Sequence, residues 1–128
     1  MRCPRSTRPI PVTDAYGFRR LLEAEAVDVL QGDVTRCGGI TGVMRADALC
    51  QAFGRPFSAH CAPTIHAHVC AAMQSARHIE WFHDHARIEA MLFDGAPQPQ
   101  DGALRPDPGS PGLGVELRRS DAERWRVA

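Results

Sequence analysis

Between Ala26 and His60 the sequence passes through a strand, a turn, a helix and a second strand, and that order restricts the fold more than any bulk property. An apolar run, Ala26-Val27-Asp28-Val29-Leu30, stops at a polar tip holding Asp33. Cys37-Gly38-Gly39 permits a tight turn, and Thr41 is expected to cap a helix with Met44, Ala48, Leu49, Ala52 and Phe53 along one side. Gly54 closes that helix, Pro56 prevents its continuation, and Phe57–Ala59 forms a second brief strand ending at His60. Consecutive parallel strands of an α/β barrel point the same way, so their C-terminal ends share one mouth. Asp33 and His60 then become neighbours in space. A carboxylate beside an imidazole fixes its tautomer, which is the setting a general base needs.

The same alternation continues on both sides. Residues 1–8 are rich in Arg and Pro and are expected to form a disordered lead-in. Ile10–Val12 is a candidate edge strand, tolerating Pro11 only because it lies at an edge. Thr13 or Asp14 caps a helix whose apolar positions are Phe18, Leu21, Leu22 and Ala26, and Val27–Gln31 is the strand after it. Pro63-Thr64 opens another helix, with Ile65, Val69, Ala72 and Met73 on its buried stripe. His78–Phe82 reads as a strand with Glu80 near its mouth end. Alternating βα units predict a parallel sheet, and the fold class is α/β, a partial TIM barrel over residues 9–93. The chain has 128 residues, whereas a closed (β/α)8 barrel takes roughly 250. Residues 94–128 form a Pro/Gly-rich crossing segment, with a short strand at Val115–Leu117 and a frayed end over 122–127. Open strand edges make self-association an expected property.

Charge and cysteine content remove several classes of function. Fifteen acidic residues balance fifteen basic ones, so neither nucleic acid nor an anionic membrane is an expected partner. Every basic residue is Arg; with no Lys, Schiff-base chemistry and a lysine base are excluded. Five cysteines without a CxxC spacing suit reduced thiols rather than a disulfide framework. No long apolar run follows Met1, so neither a signal peptide nor a spanning helix is expected, and the predicted location is the cytoplasm.

Taken in order, DVLQGDVTRCGGITGVMR, FSAHCAPTIHAHV, RHIEWFHDHARIE and PGLGVEL resemble the mandelate racemase/muconate lactonizing enzyme branch of the enolase superfamily, and more closely its acid-sugar dehydratases and racemases. The resemblance covers roughly residues 9–117. It implies the C-terminal part of a (β/α)7β barrel, with Asp33, His60 and Glu80 at the ends of the sixth, seventh and eighth strands. It implies a His60–Asp33 dyad in which His60 abstracts the proton α to a sugar-acid carboxylate. Glu80 would hydrogen-bond a carboxylate oxygen as the enediolate forms, and Arg36 is a candidate for binding the substrate carboxylate.

This family uses Mg²⁺, held by acids on the third, fourth and fifth strands. The third and fourth have no counterpart in this sequence. At the fifth the sequence passes from Val12-Thr13 straight to Asp14, so the ligand Glu is missing; whether Asp14 replaces it is open. Mg²⁺ is therefore expected in the parent family and not on this chain. Without the ion an imidazole cannot remove so weakly acidic a proton, so the chain is expected to be inactive alone. The competing reading is a non-catalytic truncated remnant or an interaction module.

Other residues have plainer readings. His66 and Cys70 lie one helical turn apart and His68 lies between them, but such a pair supplies only two zinc ligands. His83-Asp84-His85 follows the last strand and reads equally well as lining the mouth and as solvated loop residues. Cys61 beside His60 suggests a thiol nucleophile that no separate base or oxyanion signature supports.

Overall fold

The computed structural model describes residues 12–127. The expected lead-in over 1–8 and most of the candidate strand Ile10–Val12 lie outside them. In chain order the elements are α1 (Ala15–Glu23), β1 (Leu30–Gly32), α2 (Gly39–Ala52), β2 (Phe57–Ala59), α3 (Pro63–Ala72), β3 (Ala76–Ile79), α4 (His83–Leu92), β4 (Phe93–Asp94), β5 (Glu116–Leu117) and α5 (Arg119–Glu123). Strands β1, β2 and β3 lie side by side, all parallel, with Leu30 opposite Phe57 and Gly32 opposite Ala59. This is a sector of an α/β barrel. No helix among the described residues is long and apolar enough to cross a membrane.

Helix α1 starts at Asp14, whose Oδ1 accepts the Gly17 N–H at 2.8 Å. Phe18 and Leu22 face inward as their spacing predicts, but the helix ends at Glu23 and leaves Ala26 exposed. Strand β1 is shorter and later than the expected Val27–Gln31, because Leu30 is the first residue that pairs with β2. Leu30, Gly32, Phe57 and Ala59 share the face under the helices, with Gln31 and Ser58 on the other. Gly32 is needed there: a Cβ would lie 2.9 Å from the Phe57 ring, which is fully buried.

Helix α2 corrects two expectations. It begins at Gly39 with Gly38 as its N-cap residue at φ 84°, so Thr41 lies inside the helix and caps nothing. Its buried side carries Val43, Ala46, Asp47 and Cys50 rather than Ala48, Ala52 and Phe53, which are exposed. The helix packs on α1 as well as on the sheet, and the small Ala46 and Cys50 let those neighbours approach. In α3 the buried residues are Pro63, Thr64, His66, Ala67 and Val69; Ile65 is half-buried and Ala72 exposed. Strand β3 ends at Ile79, so Glu80 follows the strand, and His83–His85 is the first turn of α4 rather than a loop.

The core is built from Phe18, Leu22, Val27, Leu30, Val34, Val43, Phe57, Val69 and Met73 with smaller residues between them. Beyond Met73 none of the described residues is buried. The Pro/Gly-rich segment leaves from β4 and returns through β5, its antiparallel partner, with Arg118 Nε 2.7 Å from Asp94 Oδ1 beside the pair.

Candidate active site

The ends of the three parallel strands carry the candidate residues. Ladder hydrogen bonds set their heights: the His60 N–H donates to Gly32 O at 2.9 Å, and the Glu80 N–H to Ala59 O at 2.9 Å. Asp33 and His60 thus stand at one level, with Asp33 Oδ2 3.1 Å from His60 Nδ1. Asp33 Oδ1 accepts from the Thr35 hydroxyl at 2.7 Å and the Thr35 N–H at 2.9 Å. Burial by itself would raise the Asp33 carboxyl, but the Thr35 bonds and His60 outweigh it and hold the group below its ordinary value. Asp33 is therefore a fixed anion. Its bond to Nδ1 makes that nitrogen the protonated one and leaves the lone pair on Nε2.

The other side of His60 faces Glu80 and Cys61. Nε2 lies 3.7 Å from Glu80 Oε2 and 3.6 Å from Cys61 Sγ. The Cys61 thiol donates to Glu80 Oε2 at 3.4 Å. Adjacent residues of an extended chain point to opposite sides, yet His60 and Cys61 point to the same one. The cause is the backbone: Cys61 and Ala62 have φ of 49° and 40°, the left-handed region, and turn the thiol back toward the imidazole. Burial first, then the Glu80 hydrogen bond and charge, push the Cys61 thiol up to about 11. It is a thiol at neutral pH and not the nucleophile that its position beside His60 suggests.

Arg36 reaches the same corner, its Nε 3.4 Å from Asp33 Oδ2, while its side chain stays 65% exposed and free to meet a ligand. His66 is fully buried beneath the dyad. Its Nε2 accepts the Val34 N–H at 3.0 Å and its Nδ1–H donates to Cys61 O at 2.8 Å, so it ties the loop after β1 to the loop after β2. Both ring nitrogens are taken, and burial lowers its pKa in keeping with a neutral ring. A zinc pair with Cys70 is thereby excluded. His68 points elsewhere, its Nε2–H donating to Leu113 O at 3.2 Å. The role of His66 as a support of the site carries no local sequence signal, since its partners lie on two different loops; Thr35 does carry one, because Asp-x-Thr is the spacing of a local side-chain-to-backbone turn.

The model of one protein family, described as enolase C-terminal domain-like, matches residues 11–122. The chain belongs to that family. An L-rhamnonate dehydratase from Saccharopolyspora erythraea is 34% identical over 109 residues, which is 80% of this chain and 27% of that protein. The chain thus spans about a quarter of the length of the curated relative. A mandelate racemase/muconate lactonizing enzyme-like protein from Rubrobacter xylanophilus shares 48% identity at a TM-score of 0.76, over 87% of this chain and 37% of that one. An L-talarate dehydratase from Polaromonas sp. JS666, solved with Mg and L-glucarate, shares 28% identity at a TM-score of 0.78, over 93% of this chain and 32% of that one.

The family's magnesium does not fit the donors found here. Mg²⁺ takes six oxygen ligands in a near-ideal octahedron. Among the described residues the ligand-type cluster is His60, Cys61 and Glu80, one oxygen donor beside a nitrogen and a sulfur. Asp14, the acid nearest the candidate strand Ile10–Val12, has its carboxylate engaged as the cap of α1.

Proposed function

We propose that this chain carries the general base of an acid-sugar dehydratase or racemase, with His60 removing the proton α to the substrate carboxylate. What supports this reading is the 3.1 Å contact between His60 Nδ1 and Asp33 Oδ2 at the ends of adjacent parallel strands. Nε2 accepts the proton, and the anionic Asp33 stabilises the imidazolium that results. In its protonated form the Glu80 carboxyl donates a hydrogen bond to a substrate carboxylate oxygen as charge builds on it. Arg36 steers that carboxylate to the mouth and, through its contact with Asp33, keeps the dyad in register.

Two outcomes test this. The chain by itself, supplied with Mg²⁺ and a panel of aldonic and aldaric acids, is expected to show no turnover, because the described residues do not supply the ion's donor set. Turnover that disappears in His60→Ala would overturn that expectation. A chimera tests the base directly: residues 11–122 replace the matching segment of the Saccharopolyspora L-rhamnonate dehydratase. In it His60→Asn should lower exchange of the substrate α-proton by about 10²–10⁴-fold. Undiminished exchange in a folded His60→Asn chimera removes His60 from the role.

A non-catalytic remnant or interaction module is the second reading. It is favoured by the lack of fit to Mg²⁺ and by the absence of buried residues after Met73 among those described.

A further inference from the structure

We propose that His60, Cys61 and Glu80 form a three-ligand site for a thiophilic divalent cation of the zinc class, with Asp33 as its supporting carboxylate. This goes beyond the reading of His60 as a base and does not depend on it. The three donor atoms form a nearly equilateral triangle with sides of 3.4, 3.6 and 3.7 Å. With zinc–ligand bonds of about 2.0–2.3 Å, the edges of a zinc tetrahedron are about 3.3–3.6 Å. The triangle therefore needs shifts of only tenths of an ångström to close on an ion.

Three further observations support the site. His60 Nδ1 is held by Asp33, so the lone pair sits on Nε2, the atom in the triangle. A carboxylate behind a ligating histidine is the common support of such centres and raises the ligand's basicity. The charges balance: a neutral imidazole, a thiolate and a carboxylate offset a divalent ion. Glu80 is 41% and His60 20% exposed, so an ion has an entry path and the fourth position faces solvent. The Cys61 S–H bond breaks on binding; its electron pair goes to the metal and its proton to solvent, with no change of oxidation state. The left-handed backbone at Cys61 and Ala62 is what brings sulfur to the nitrogen. Because the ion takes the same lone pair that a proton would, metal binding and base function at His60 exclude one another.

Cobalt(II) is the probe, since tetrahedral thiolate coordination gives it a charge-transfer band in the near-ultraviolet and intense visible bands. One equivalent of Co²⁺ added to the reduced full chain at neutral pH should produce these bands, and one equivalent of Zn²⁺ should erase them. A large excess of Mg²⁺ should leave them unchanged. Cys61→Ser should abolish the charge-transfer band, whereas Cys3→Ser and Cys70→Ser should retain it. Asp33→Asn should weaken binding by about 10–100-fold. Glu80→Gln lies at a half-exposed position where folding is not at stake, and it should weaken binding by at least about 10-fold. No band in the wild-type chain at saturating Co²⁺, a band that survives Cys61→Ser, or unchanged affinity in Glu80→Gln each overturns the proposal. None of these readouts requires turnover, so a failed base assignment leaves them intact.

Discussion

Asp47→Ala should cost the fold about 3 kcal/mol, a large part of a margin that is typically about 5–15 kcal/mol. Asp47 lies on α2, is 2% exposed, and serves as a hub between that helix and the turn leading into β3. Its Oδ1 accepts from the Ser75 N–H at 2.8 Å and the Ser75 hydroxyl at 2.5 Å. Its Oδ2 accepts from Gln51 Nε2 at 2.8 Å and the Gln74 N–H at 3.2 Å. Alanine removes the acceptor and leaves two backbone N–H groups without it, each bond to a charged acceptor being worth about 1.5–3 kcal/mol and the set not additive. Asn keeps one oxygen and should cost less. Burial would raise the Asp47 carboxyl, yet the Ser75, Gln74 and Gln51 bonds prevail and hold it below its ordinary value of 3.8. A carboxyl depressed in the folded state contributes stability that is fully present above its unfolded value and is lost as pH falls through the folded one. Asp33 is depressed in the same direction. Thermal melts of the wild type should therefore fall away below about pH 4, and the slope should flatten in Asp47→Asn. An Asp47→Ala melt that matches the wild type, or an acid limb unaltered by Asp47→Asn, would remove Asp47 from this role.

Asp47 also marks where sequence patterning stops being informative. An aspartate on a helix reads as a solvated position, and the backbone N–H groups that it accepts from lie 27 and 28 residues further along the chain. Only the packing of α2 against the turn before β3 brings them together, so no local period reveals the buried side of α2. Strand β2 was legible to the residue because Pro56 before it and the polar His60 after it bound the three residues Phe57–Ala59. The approach of His60 to Asp33 was legible for a topological reason, as the ends of adjacent parallel strands cannot be far apart. The convergence of Cys61 was not, because strict alternation sends it away from His60 and only the left-handed turn at 61–62 reverses it. Helix α4 was hidden by its polar opening, His-Asp-His, and by having no buried residue, although Ala86–Leu92 is rich in good helix formers.

The isolated chain should self-associate, weakly and in a concentration-dependent way. Among the described residues β1 and β3 each pair on one side only, which leaves two open edges of three and four residues. Edges this short template pairing poorly on their own. The open face of the sheet is less apolar than the loss of neighbouring strands suggests. Phe57 is fully buried, its ring lying over Gly32 beneath the helices, and the opposite face of the sheet carries the half-buried Gln31, the buried Ser58 and the exposed His78. Exposed apolar side chains lie instead outside the sheet, early in the chain at Tyr16, Ile40 and Phe53, and later at Trp81, Phe82, Ile88, Leu117 and Trp125, which are 39–59% exposed. Covering the open half of each contributes about 1 kcal/mol, against an association cost of several kcal/mol. Dissociation constants in the micromolar to millimolar range follow, not a tight dimer. Size-exclusion elution should shift with loading, ANS should bind, and amides of β3 and α4 should exchange well before those of α2 and β2. A monomer at every loading, dye-free and melting in one sharp transition, would mean that half-buried contacts suffice to hold everything beyond Met73.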